Sequence, residues 1–271
     1  MRREGVLAEL PPAKLNLALH VRGKMPDGRH RLETVFAFCT DGDRLEAEPA
    51  DDLSLEVIGP FFRGLSNNDN LVLVAARALR EAAEVTAGAR LILNKNLPLA
   101  SGIGGGSADA AATLRLLTSL WRLDPAQASS IAPDIGSDVP ACLLSMTARG
   151  DGAGDVLQLL DDPSVAGTPV LLVNPGVQLS TAAVFAAWDE YDRGPLGDWR
   201  HGRNDLEAAA KSLAPQIESV LVWLTEQLGA NFVRMSGSGA TCFALFDSEE
   251  QRDKAAAACP AHWWHLATFL R

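Results

Sequence analysis

Cysteine is scarce in this 271-residue chain, cations are outnumbered, and no apolar run is long. The four cysteines, Cys39, Cys142, Cys242 and Cys259, form no C-x-x-C pair, and none has a histidine at metal spacing. That excludes a zinc motif or a disulfide framework and reads as buried, reduced thiols. Lys and Arg number 24 against 34 Asp and Glu, a net charge of −10. Such a chain is a poor nucleic-acid binder, because phosphate contacts need clustered cations. An anionic nucleotide remains possible where the site is locally positive. No run approaches the roughly 20 apolar residues of a membrane helix. Segment 1–17 has neither a hydrophobic signal region nor a small-residue cleavage site. We therefore expect no membrane partner and a cytoplasmic location. Internal repeats and low-complexity linkers are also lacking. What is present is 47% hydrophobic residues and 21% charged ones, enough for one large domain or two of ordinary size.

Along the chain, Lys14–Val21 alternates, with Leu15, Leu17, Leu19 and Val21 on one face and Lys14, Asn16 and Ala18 on the other. This predicts a strand that carries a lysine and an asparagine on one face. Leu32–Phe38, Arg44–Glu48, Leu53–Ile58 and Arg90–Asn94 read as further strands. Asn68-Asp69 is expected to cap a helix over 70–83 with Leu71, Val74, Ala75, Ala78 and Ala82 on its stripe. A helix from about Ser107 to Trp121 has the stripe Ala110, Leu114, Leu117 and Trp121. Beyond about Gly150, strands are expected at 170–173, 232–235, 242–246 and 263–269. Helices are expected after Ser180, over 249–258, and over 215–228 with Ile217, Val220, Leu221, Leu224 and Leu228 inward and Gly229 as the stop. Elements are grouped rather than alternating, which favours α+β. The expected domains are 1–150 and 151–271, with a final strand able to return to the first.

The strongest motif is the run Pro98, Leu99, Ala100, Ser101, Gly102, Ile103, Gly104, Gly105, Gly106, Ser107 and Ala108, set between a strand and a helix. Glycines let backbone N–H groups approach phosphate oxygens, and a helix N-terminus adds unpaired donors and partial positive charge. The run is not a Walker A loop, and it departs from the dinucleotide fingerprint at Ser107. Protein-kinase signatures are absent. In Gly136-Ser-Asp-Val-Pro140, Ser137 reads as an N-cap and Asp138 as an acid at a helix start. Taken alone, that segment is helix capping. Lys14, alone, is a solvated surface charge. Met235-Ser-Gly-Ser-Gly-Ala240 is a second glycine-rich turn, which alone could be a hairpin.

In this order, these segments resemble the GHMP kinases, which carry a lysine-bearing first strand, a central glycine loop entering a helix, and a C-terminal G-x-G turn. The segments Pro12–Leu17, Pro26–His30, Asp69–Leu71, Gly104–Gly106, Gly136–Pro140, Asn204–Glu207 and Ser236–Ala240 are similar to members acting on a cytidine diphosphate methylerythritol in the non-mevalonate isoprenoid pathway. Departures are Arg29 where a tyrosine is usual, Ala100-Ser101 for glycines, and Asp155 for a glutamate.

The resemblance implies a two-domain α+β fold, with a ribosomal-protein-S5-like nucleotide domain and an α/β-sandwich domain. It implies ATP and Mg2+ as cofactors and phosphorylation of the substrate's 2-hydroxyl. Asp138 would take the hydroxyl proton, and Lys14 would orient it and stabilise the alkoxide. The loop from Pro98 to Ala108 would hold the phosphates, with Asn70 and Lys95 near the adenosine. Asn16, His30, Phe36, Asp138, Thr181, Phe185, Gly237 and Gly239 would meet the substrate. From residue types alone, Phe36 and Phe185 read as core residues and His30 as a structural one; only the resemblance raises them. Metal ligands and oligomeric state, monomer or homodimer, stay open. The competing readings are another GHMP kinase, a dinucleotide-dependent oxidoreductase, and a ligand-binding sensor without turnover.

Overall fold

The computed structural model describes residues 5–63, 65 and 70–271. In chain order the elements are β1 (Leu7–Glu9), β2 (Pro12–Lys24), β3 (His30–Gly42), β4 (Arg44–Ala50), β5 (Leu53–Ile58), α1 (Leu71–Ala82), β6 (Gly88–Asn94), α2 (Gly105–Leu120), α3 (Pro125–Ile135) and α4 (Val139–Leu144). Then follow β7 (Ala148–Asp151), β8 (Val156–Leu159), β9 (Pro169–Asn174), α5 (Thr181–Ala187), α6 (Glu207–Leu213), α7 (Gln216–Thr225), β10 (Ala230–Met235), β11 (Cys242–Phe246), α8 (Glu249–Ala257) and β12 (Trp264–Phe269).

Two compact units share the chain without being consecutive halves. The first comprises 1–13, 41–99 and 104–145; the second comprises 14–40, 100–103 and 146–271. A single cut at 150 therefore does not separate them. The strands β2 and β3, although N-terminal, pack with the C-terminal residues. The glycine loop itself changes unit after Leu99 and again after Ile103.

The first unit holds a sheet of order β1-β4-β6-β5, antiparallel except for the parallel pair β5 and β6. Helix α2 packs on α1, α3, α4 and β4. It is buried nearly all round, from Ala108 to Leu114 and again at Leu116, Leu117 and Thr118. A run so rich in alanine can be enclosed on every side, which hides its period. In α1 the buried positions are Val72, Leu73, Ala75, Ala76 and Leu79. The expected stripe is therefore rotated: the bulkier Leu73 and Leu79 win the core over Val74 and Ala78. The predicted cap, Asn68-Asp69, lies outside the described residues. Asn70 is the N-cap, its Oδ1 accepting from the Val72 N–H at 3.0 Å.

In the second unit one sheet runs β10-β11-β9-β12, all antiparallel. Helices α7 and α8 pack on it, around a core that includes Leu171, Val173, Val184, Ile217, Val220, Leu224 and Phe246. Helix α7 ends at Thr225, three residues earlier than expected. Leu228 is 78% exposed instead of turned inward, because it lies past the last helical turn. The other sheet, β2-β3-β7-β8, joins two early strands to two from the middle of the chain. Strand β12 pairs with β9, and the residues after it continue to β3 through the Arg271 N–H on the Phe38 carbonyl at 2.9 Å. All four cysteines are thiols outside any disulfide, three of them buried. No helix among the described residues is long and apolar enough to cross a membrane.

Candidate active site

In the first unit the glycine run becomes the start of α2. Gly104 is the N-cap at φ 64°, a left-handed backbone that a side chain would strain, and Gly105 and Gly106 form the first turn. The helix thus begins two residues before Ser107, so its unpaired N–H donors belong to the glycines. Gly106 is exposed and Ser107 half-buried, whereas Ala108 faces the core.

A Cβ on Gly105 would point inward, 3.1 Å from the Lys95 ammonium. Lys95 is 2% exposed and ion-paired with two carboxylates, Asp43 and Asp109, the latter at 2.6 Å. Burial opposes its charge, but Asp109 and Asp43 outweigh this and hold its pKa above the ordinary lysine value. The other oxygen of Asp43 accepts from the N–H groups of Asn96 and Leu97 at 2.6 and 2.8 Å, just before Pro98 and Leu99. Sequence reading placed Lys95 beside the nucleotide. Here its ammonium is committed to the protein interior, and Asn70 commits its side-chain oxygen to the cap of α1.

Asp138 occupies the N-cap position of α4 in a helical conformation, and its side chain makes no capping hydrogen bond. The capping role expected of Ser137 is not seen either: Ser137 precedes the cap and is exposed.

In the second unit Lys14 is 3% exposed. Its ammonium donates to Asn16 Oδ1 at 2.9 Å and sits 5.2 Å from the centre of the Phe36 ring. Asn16 in turn donates to Thr34 Oγ1 at 2.8 Å, and Thr34 donates to the Ala18 carbonyl at 2.6 Å. This chain of bonds fixes the lysine head by way of β2 and β3. The Lys14 N–H also donates to the Ile103 carbonyl at 2.9 Å, tying the strand to the glycine loop. Lys14 is therefore no solvated surface charge.

The two glycine turns meet in this unit. Ser236 Oγ accepts from the Asn16 N–H at 3.2 Å and donates to the Gly102 carbonyl at 3.0 Å. A Cβ on Gly102 would come within 2.5 Å of the Ser236 carbonyl and 2.7 Å of that of Gly239. Thr241 N–H donates to the carbonyl of buried Ser101 at 3.1 Å, and Leu179 N–H to that of Ala100 at 3.4 Å. The turn over 236–241 does join an antiparallel pair, β10 and β11, as a hairpin would. Its Gly237 carbonyl accepts from Asn204 Nδ2 at 2.7 Å, and its Ser238 hydroxyl lies 2.9 Å from that of Thr181.

His30 stacks on Phe185 with ring centres 4.5 Å apart and meets the edge of Trp188 at 5.8 Å. Burial and then the Lys24 ammonium push its pKa below the ordinary 6.5, against the pull of Glu190. Its Nε2 is buried with no hydrogen-bond partner. Phe36 is 1% exposed, its ring pressed against Gly150, so it lines the interior beneath Lys14. Two departures from the family pattern prove to be partners: the Arg29 guanidinium reaches Asp27 at 2.8 Å and Asp155 at 3.2 Å.

Comparison with known proteins shows the family. Residues 70–146 match the GHMP kinases N terminal domain and residues 190–264 the GHMP kinases C terminal domain. A 4-diphosphocytidyl-2-C-methyl-D-erythritol kinase of Rhizorhabdus wittichii is 49% identical over 97% of this chain and 94% of its own length. The chain belongs to the 4-diphosphocytidyl-2-C-methyl-D-erythritol kinase family of GHMP kinases. A relative of the same name from Hyphomonas neptunium is 45% identical over 96% of this chain and 95% of its own length. The crystal structure of a 4-(cytidine 5'-diphospho)-2C-methyl-D-erythritol kinase superposes with a TM-score of 0.83 at 33% identity, covering 97% and 99% of the two chains. A homoserine kinase from Cytophaga hutchinsonii shares the fold, with a TM-score of 0.73 at 16% identity over 100% and 96% of the two chains. The chain is thus a small-molecule kinase with ATP as phosphate donor. Family membership disfavours the oxidoreductase reading.

Sequence reasoning missed Asp43 and Asp109, the carboxylates around Lys95, and it missed Thr34, Ser236 and Asn204. Asp109 carried one signal, a lone acid in a Gly/Ala-rich helix whose other residues are apolar or small at its flanks.

Proposed function

We propose that this kinase transfers the γ-phosphoryl group of ATP to the 2-hydroxyl of 4-diphosphocytidyl-2-C-methyl-D-erythritol, giving the 2-phosphate and ADP. The observation that carries the catalytic assignment is the place of Asp138 at the start of α4, within the segment Gly136–Pro140 that carries the family resemblance. Asp138 accepts the hydroxyl proton as the oxygen attacks the γ-phosphorus in line and the bond to the β-bridging oxygen breaks. Lys14, held by Asn16 over Phe36, supplies a compact positive charge to the developing alkoxide. Backbone N–H groups of the run 104–108, at the start of α2, hold the phosphates, with Ser107 beside them.

Mg2+ would be supplied with the nucleotide, as Mg-ATP. Among the described residues no group of three His, Cys, Asp or Glu could hold a metal ion. When bound, it neutralises phosphate charge. The cytidine end is assigned to His30 and Phe185, whose stacked rings offer a flat apolar face, with Thr181, Asn16, Gly237 and Gly239 as polar and backbone neighbours. Phe36 acts from beneath, through Lys14.

ADP release with this alcohol, measured against mevalonate, homoserine and galactose, tests the reading. Asp138→Asn and Lys14→Ala are each expected to lower turnover at least about a hundredfold, with Mg-ATP binding largely kept. Turnover near the unsubstituted rate in either variant overturns the catalytic assignment. Preference for another alcohol overturns the substrate.

A further inference from the structure

The buried cluster of Lys95, Asp43 and Asp109 lies directly under the phosphate loop. Lys95 stands just past β6, Asp43 between β3 and β4, and Asp109 one turn into α2. All three are at most 2% exposed. The cluster joins the chain entering the glycine run to the helix leaving it. Asp43 accepts from the N–H groups of Asn96 and Leu97, while Lys95 bridges Asp43 to Asp109 and lies 3.1 Å from where a Gly105 Cβ would be.

Lys95 and Asp43 together carry no net charge, so Asp109 decides whether the cluster is neutral or carries −1. Burial first, and then the Asp43 charge, raise the Asp109 pKa to about 7, against the lowering pull of Lys95. Its Oδ1 is fully enclosed and has no hydrogen-bond partner. The charges acting on it are those of Lys95 and Asp43. Of the other elements packed on α2, α1 buries Val72, Ala75 and Ala76, β4 buries Leu45 and Ala47, α3 buries Ala128 and Ala132, and α4 buries Val139 and Cys142, while Glu9 of β1 pairs with Arg115 of α2 at 2.8 Å.

We propose that Asp109 is a positioning residue that, through Lys95, holds the phosphate loop and sets the charge beneath it, so that binding of the ATP phosphates is coupled to proton uptake at this carboxyl. An ionised Asp109 places a buried, poorly screened negative charge below a site for a polyanion, and a neutral one does not. The coupling is reciprocal: whatever the proton does for ATP affinity, ATP does for proton affinity. The proposal rests on the glycine run holding ATP.

Two measurements with the whole enzyme test it. In the first, KM for ATP at saturating Mg2+ is followed from pH 6 to 9. A shift of one unit in the Asp109 pKa on binding makes KM rise about tenfold across that range. Asp109→Asn, a neutral isostere, flattens the rise. In the second, calorimetry of Mg-ATP binding at pH 7.5, in two buffers of different ionisation enthalpy and without alcohol substrate, counts protons. The unsubstituted enzyme takes up about half a proton, and Asp109→Asn takes up none. A purely structural role would lower stability without moving the pH profile or the proton count. Equal proton uptake in both proteins, or none in the unsubstituted enzyme, overturns the inference. The proton count on the unsubstituted enzyme decides even if the variant does not fold. Absence of Mg-ATP binding would overturn the ATP reading itself and this inference with it.

Discussion

Gly106→Ala separates the fold from the nucleotide more cleanly than any other change in the loop. Gly106 is the second residue of α2, is exposed, and is not in the left-handed region. A Cβ there would meet only the end of the Leu71 side chain, at 3.4 Å. Replacing glycine by alanine inside a helix stabilises it by up to about 1 kcal/mol, because less backbone entropy is lost. The expected change in melting temperature is therefore a rise of about 1–3 °C. ATP affinity should move the other way. If phosphate oxygens approach the N–H groups of this turn, a methyl group holds them off, and one hydrogen bond to a charged group is worth about 1.5–3 kcal/mol. That converts to a rise in KM for ATP of about 10- to 150-fold. Differential scanning fluorimetry and initial rates at varied ATP read the two effects on one preparation. A variant that is more stable and has unchanged KM for ATP would refute the placement of phosphates on this helix start.

Gly102→Ala should do the reverse and damage the fold, since its Cβ would overlap two backbone carbonyls within 2.7 Å at a residue with φ 75°. Strain and overpacking together cost about 2–5 kcal/mol, read as a lower urea midpoint; an unaltered midpoint would mean that the two turns are looser than described. His30 gives a pH signature. Its folded-state pKa lies below the ordinary 6.5, so the folded protein binds fewer protons at this ring than the unfolded chain. The stability linked to the neutral ring is present above pH 6.5 and is lost as pH falls below it. His30→Gln should therefore shrink the fall in urea midpoint between pH 7 and pH 5, and an unchanged fall would assign that loss to other groups.

What the sequence revealed, and what it hid, follows from how local each feature is. The alternation of β2 was legible because period two survives in a strand with one apolar face, and it correctly put Lys14 and Asn16 side by side. The start of α2 was legible because glycines between a strand and a helix have few other uses. The face of α1 was misread because Val74, Ala75 and Ala78 form as plausible a stripe as Leu73, Ala76 and Leu79, and only the neighbours of the helix choose between them. Helix α3 and strands β7 and β8 passed unnoticed because they are short and mixed in composition. The partners of Lys95 were invisible for a different reason. Asp43 is 52 positions away and Asp109 is 14, and no periodicity links a loop, a strand end and a helix turn. The interleaving of the two units escaped notice for the same cause: a break in composition marks a linker, and here there is none.

Interleaving also governs when the molecule can be completed. Strand β2 leaves the ribosome long before its partners: the N–H of Asn16 waits for Ser236, 220 positions later, and that of Val21 waits for Asp205, 184 positions later. Contacts so distant must bear the full entropy of loop closure before any of them forms. A nascent chain of this kinase therefore carries unfinished contacts on β2 through the long stretch of synthesis that separates this strand from Ser236, with Lys14 made well before the residues that enclose it.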